Sequence, residues 1–96
     1  MLKSFTKIRK TPGYKFSIER RCERLGIPIR KTKYHKFVDE KYLKLLFLKL
    51  TCSDMYWKIS DWIDKFDDDL REYLYAEMFD MRYEELSKFI IRKELI

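Results

Sequence analysis

The feature that most constrains this chain is where its helix breakers stand. Pro12, Gly13, Gly26 and Pro28 are its only prolines and glycines, so residues 29–96 contain neither. Those two residue types punctuate turns and end helices, and a long run without them favours helix throughout. A chain of 96 residues buries only about 60–70 % of its unfolded surface, so its core must be efficient. An aromatic content of 17 % supplies that efficiency, because each ring carries a large apolar area. The expectation is an all-α fold, a compact bundle of about four to five short helices, with residues 15–96 forming a single helical domain behind a basic, flexible arm over residues 1–14.

Hydrophobic spacing places the helices. The arm mixes Lys3, Lys7, Arg9 and Lys10 with lone apolar residues and ends in the turn signal Thr11-Pro12-Gly13. Ser17 then offers an N-cap, Ile18, Cys22 and Leu25 recur on one helical face, and Gly26 stops the run. Pro28 suits a first helical turn, so Ile29 to Lys36 is expected as a second short helix. Asp39 precedes Tyr42, Leu43, Leu45, Leu46, Phe47 and Leu50, an apolar set wide enough for a buried central helix. Ser53 or Asp54 caps the next helix, whose face is Met55, Ile59, Trp62, Ile63 and Phe66. Asp67, Asp68 and Asp69 mark another start, since acids favour a helix N-terminus, and Leu70, Tyr73, Leu74 and Met78 form its inward stripe. A last helix runs from about Arg82 to Glu94 with Tyr83, Leu86, Phe89 and Ile90 facing inward.

Charge is distributed unevenly. Residues 1–36 hold 12 Lys/Arg against two Glu, and residues 37–96 hold 10 Lys/Arg against 14 Asp/Glu. A field of one sign confined to one part of a chain attracts polyanions, which makes nucleic acid, DNA ahead of RNA, the first partner to expect. The opposing reading of the same residues is a hydrated, solubilising surface.

A resemblance carries the same inference further. Phe16-Ser-Ile, Cys22 standing four residues before Gly26, and the run Gly26-Ile-Pro-Ile-Arg-Lys-Thr-Lys-Tyr-His resemble the helix-turn-helix of MerR-type and excisionase-like regulators. The resemblance implies that Cys22 and Gly26 let two helices approach closely and that Arg30, Lys33 and Tyr34 ride on a recognition helix in the major groove. Lys7, Arg9, Lys10, Arg20, Arg21, Arg24, Lys31 and Lys36 would then hold phosphates. Thr32 departs from the pattern, standing where an apolar packing residue is expected. Phe37-Val-Asp-Glu-Lys-Tyr-Leu-Lys-Leu-Leu-Phe-Leu resembles the helix after the wing of such regulators, with the wing itself missing. Ile59-Ser-Asp-Trp-Ile-Asp-Lys-Phe-Asp-Asp-Asp-Leu-Arg-Glu, with Tyr83-Glu-Glu-Leu beyond it, is similar to small phage regulators with a sigma-region-4-like domain.

Catalysis finds little support. The chain has one histidine, no glycine-rich phosphate loop, no HExxH and no Cys/His ligand cluster, so no catalytic residue, metal or cofactor is expected. His35 and Cys22 read as a surface residue and a core thiol, and the Asp67 to Asp69 run as a solvated helix start. Cys22 and Cys52 lack CxxC spacing and no signal-like segment opens the chain, so reduced thiols in a bacterial or phage-infected cytoplasm are expected. Tyr42 to Leu50 is interrupted by Lys44 and Lys49 and falls short of the roughly 20 residues a bilayer span needs. The alternative function is protein docking: Tyr56, Trp57, Tyr75, Phe79 and Met81 are a surplus of anchor residues. They suit a small phage-encoded inhibitor or adaptor seated on a larger enzyme or nucleoprotein complex, such as a nucleic-acid-guided defence complex. Homodimerisation through the same surface is its plainer form.

Overall fold

Caps and turn residues set most boundaries in the structure, a computed structural model that describes residues 1–96. The chain divides into two compact units, Met1–Lys49 and Leu50–Ile96. It is mostly helical, and the first unit adds a three-stranded antiparallel sheet to the helices that sequence periodicity predicts. No helix is long and apolar enough to cross a membrane.

The first unit begins with β1 (Leu2–Ser4) and α1 (Phe5–Arg9). The Ser4 hydroxyl accepts the Lys7 N–H at 3.2 Å and caps α1. Within residues 1–14, where the sequence suggests an arm, β1 pairs with a later strand, and Phe5 and Ile8 are buried. α2 (Ile18–Leu25) follows the expected stripe, with Ile18, Cys22 and Leu25 buried. Gly26 ends it at φ 78°, a left-handed conformation that glycine alone adopts without penalty. The Ile27 N–H then reaches back to the Cys22 carbonyl at 2.9 Å, which completes a Schellman cap.

No second helix follows. Residues 29–36 instead open a hairpin of β2 (Ile29–Lys31) and β3 (Lys36–Asp39). β3 is central, with Val38 opposite Lys3 of β1 on one side and Ile29 of β2 on the other, and Val38 is fully buried. Thr32 closes the turn: its N–H donates to the His35 carbonyl at 2.8 Å and its hydroxyl accepts the His35 N–H at 3.2 Å. Thr32, out of place in a recognition helix, is thus the turn former. Asp39 caps a short 3-10 turn (Glu40–Tyr42) that leads into α3 (Leu43–Leu46). This helix is much shorter than the expected central one, because Leu48 turns left-handed at φ 56° and the Lys49 N–H bonds the Lys44 carbonyl at 2.8 Å.

The second unit is a set of three helices. α4 (Cys52–Ile63) is capped by Thr51 rather than Ser53 or Asp54, in a capping box. The Thr51 hydroxyl accepts the Asp54 N–H at 3.1 Å and the Asp54 carboxylate accepts the Thr51 N–H at 3.0 Å. Met55, Ile59 and Ile63 are buried as expected. α5 (Asp68–Asp80) starts at Asp67, with Asp68 and Asp69 in its first turn. Of its expected inward stripe only Met78 is buried, Leu74 is half-buried, and Leu70 and Tyr73 face solvent. α6 (Tyr83–Arg92) buries Leu86, Phe89 and Ile90. Trp62 stands edge-on to Phe66 and Phe89, with ring centroids 4.7 and 5.4 Å away, the arrangement that aromatic quadrupoles favour. The Tyr83 hydroxyl donates to the Leu50 carbonyl at 2.8 Å and ties α6 to the start of the unit.

Candidate nucleic-acid interface

The division into units sharpens the charge asymmetry. Met1–Lys49 holds 15 Lys/Arg against four Asp/Glu, a net +11, and Leu50–Ile96 holds seven against 12, a net −5. The predicted contact residues of the first unit fall into separate groups.

One group gathers around a depression of about 260 Å³ where α1, the start of α2 and the hairpin turn meet, lined by Arg9, Glu19, Tyr34, His35 and Lys36. The Lys36 ammonium is ion-paired with the Glu19 carboxylate. That hydrogen bond and charge hold the Glu19 carboxyl below its ordinary range, with Lys31 and Arg9 adding to the effect. Tyr34 sits at the hairpin tip with 78 % of its surface exposed, and the Lys33 ammonium lies 5.4 Å from its ring centroid.

A second group lies along α2, where Arg20, Arg21, Arg24 and Glu23 surround a broader depression of about 600 Å³ beside Phe16. Arg20 and Arg24 are exposed. Arg21 is engaged within the unit: its guanidinium stacks 4.1 Å from the Phe16 ring centroid and donates to the Leu46 carbonyl at 3.1 Å. It locks α2 to the end of α3, a role that no spacing rule signals.

The remaining residues stand apart. Arg30 and Lys31 alternate along β2, so they point to opposite faces of the sheet; Arg30 lies near Leu2, Asp39 and Tyr42. Lys7 and Lys10 are exposed in and just after α1. The cations that the sequence assigned to a recognition helix therefore sit on edge strand β2 of the three-stranded sheet and on the hairpin turn that follows it.

The alternative docking residues are less exposed than expected. Trp57 and Phe79 are open, at 71 % and 68 %. Tyr56 and Tyr75 are half-buried, each with its ring near that of Phe79, and Met81 is half-buried as well. The Tyr75 hydroxyl donates to the Asp64 carboxylate at 2.5 Å and lies 2.7 Å from the Ser60 hydroxyl, so it bridges α4 and α5. The Asp64 bond raises its pKa above the ordinary tyrosine range. Leu70 and Tyr73, assigned inward from sequence, join the exposed apolar surface of α5.

Cys22 is buried and desolvation lifts its thiol to about 11, the opposite of an activated cysteine. His35 is exposed on the hairpin turn, and no group of three or more His, Cys, Asp or Glu side chains comes together. Set against protein-family models, curated protein sequences and solved structures, the chain finds no match in any of the three.

Proposed function

We propose that this chain is a small nucleic-acid-binding regulatory protein, preferring DNA to RNA, whose contacts are made by the basic unit Met1–Lys49. The observation that carries the reading is the net +11 held by that unit beside a net −5 in the other. A charge imbalance of this size drives association by releasing counterions condensed on phosphates. Lys7, Lys10, Arg20, Arg24 and Lys31 are the phosphate contacts in this reading, and they position the protein without selecting sequence. Arg30, Lys33 and Tyr34, carried by the β2–β3 hairpin, reach the bases. The tip of an antiparallel hairpin can enter the major groove of B-form DNA, whereas the deep, narrow major groove of A-form RNA admits side chains poorly, which favours DNA.

The test is fluorescence anisotropy of labelled duplex DNA and single-stranded RNA across a salt series. The expected result is tighter binding to duplex, with log K falling against log salt by about 0.9 for each phosphate contacted. Absence of binding at low salt ends the reading. Docking of the second unit on a larger nucleoprotein complex is a second reading, supported by the exposed rings of Trp57 and Phe79. It predicts that Trp57→Ala with Phe79→Ala leaves DNA binding intact while function in cells is lost.

A further inference from the structure

Glu19 and Glu23 are the only acids among the first 36 residues, and each lines one of the two basic depressions. We propose that the depression beside the hairpin turn is a phosphate subsite, and that in the free protein the Glu19 carboxylate occupies the place on Lys36 that a phosphate takes when nucleic acid binds. The proposal rests on the nucleic-acid reading above and names the contact at one point of that unit.

Four observations carry it. The depression, at about 260 Å³, has room for a phosphate with its flanking sugar, and it presents the Arg9 and Lys36 charges together with the His35 ring. Its one acid, Glu19, is ion-paired with Lys36, and a carboxylate and a phosphate oxygen use the same charge-assisted bond to an ammonium. Both partners are substantially exposed, at 39 % and 55 % of their side chains, and exposed pairs are weak enough to be exchanged for another anion. Tyr34 stands at the rim, where its ring can lie against the sugar or base that follows the phosphate.

Glu23 provides the control, since it lies on the same helix in the other depression and its neutralisation changes net charge equally. Duplex DNA binding is measured across a salt series for the wild type, Glu19→Gln, Glu23→Gln, and Glu19→Gln combined with Arg9→Ala and Lys36→Ala. Circular dichroism checks that each variant is folded. Glu19→Gln is expected to bind about two- to five-fold more tightly than Glu23→Gln, the worth of one exposed ion pair. Its salt dependence should match that of Glu23→Gln, because the same phosphates are contacted in both complexes, and the combined variant should lose the gain. Equal behaviour of the two single variants overturns the subsite while leaving the nucleic-acid reading in place. If the wild type binds neither DNA nor RNA, that reading fails, and inorganic phosphate judges the subsite by nuclear magnetic resonance. Saturable shifts at Arg9, His35 and Lys36, enhanced by Glu19→Gln and absent at Arg20, assign it to free phosphate; no such shifts overturn it.

Discussion

Met1–Lys49 and Leu50–Ile96 have nearly the same length and similarly dry cores. Val38, Leu45 and Leu46 in one, and Met55, Leu86 and Ile90 in the other, are fully buried. Their surfaces have opposite sign, and their architectures follow different rules. The acidic unit is three helices whose order is that of the chain, with a capping box at Thr51 and Asp67 at the N-cap position of α5. The basic unit closes a sheet by bringing residues 2–4 against residues 37–39. The contrast teaches that core burial alone does not distinguish the halves of this molecule; what sets them apart is the charge left outside and the range of the contacts that hold the backbone.

If the cores are equivalent, Leu46→Ala and Leu86→Ala should cost alike, about 2–5 kcal/mol each, as a buried leucine truncation leaves a cavity. Urea denaturation measures both, and a loss under about 1 kcal/mol at either site would break the equivalence. If the surfaces differ in function, equal charge reversals should not be equal in effect. Arg30→Glu with Lys33→Glu should weaken duplex binding about a hundredfold, whereas Lys65→Glu with Lys88→Glu in the acidic unit should weaken it less than about threefold. Similar losses from the two pairs would reduce the asymmetry to a matter of net charge.

The same contrast explains what could be read from the sequence. In the acidic unit, Met55, Ile59 and Ile63, and Leu86, Phe89 and Ile90, repeat at helical spacing and are buried, so local periodicity located the helices. Its errors there were local too, a cap misplaced from Thr51 and an α5 stripe assigned to exposed Leu70 and Tyr73. In the basic unit α2 was legible, because Ile18, Cys22 and Leu25 mark its face and Gly26 its end. The hairpin was not. Val38 is held by Lys3 at the other end of the unit as well as by Ile29 across the hairpin, and strand preference depends on such partners more than on the residues themselves. The candidate site inherits both outcomes: the identity of its cations was legible, but their mounting on an edge strand and its hairpin turn and the capture of Arg21 by Phe16 and Leu46 were tertiary facts.

Helix ends offer a finer comparison. α2, α3 and α6 close with the same backbone pattern, Ile27 to Cys22, Lys49 to Lys44 and Leu95 to Ile90, with Gly26, Leu48 and Glu94 in the left-handed position. Only the first of those three residues is free of the clash between Cβ and carbonyl. Gly26→Ala should therefore destabilise by about 1–2 kcal/mol, while Leu48→Gly, at a side chain already 53 % exposed, should be neutral or stabilise by up to about 1 kcal/mol. Thermal unfolding of the two variants gives the signs. A loss at Leu48 as large as that at Gly26 would mean that the leucine packs in the folded state and is not merely tolerated.

The smallest effect expected near neutral pH concerns the two thiols, one in each unit. Cys22 lies in the buried stripe of α2, and Cys52 is exposed at the first position of α4. Burial raises the Cys22 pKa from 9.0 to about 11, so the folded chain holds that proton more tightly than the unfolded one. The stability linked to it is intact below pH 9.0 and is lost as the pH climbs toward about 11, where the folded thiol also ionises. A disulfide reagent at mildly alkaline pH should accordingly modify Cys52 at once and Cys22 only when Met1–Lys49 opens, because the thiolate is the reactive form. Urea should bring the second reaction up to the rate of the first. Prompt reaction of both thiols in the folded protein would show that α2 opens readily, and would place the weaker core in the unit that carries the charge.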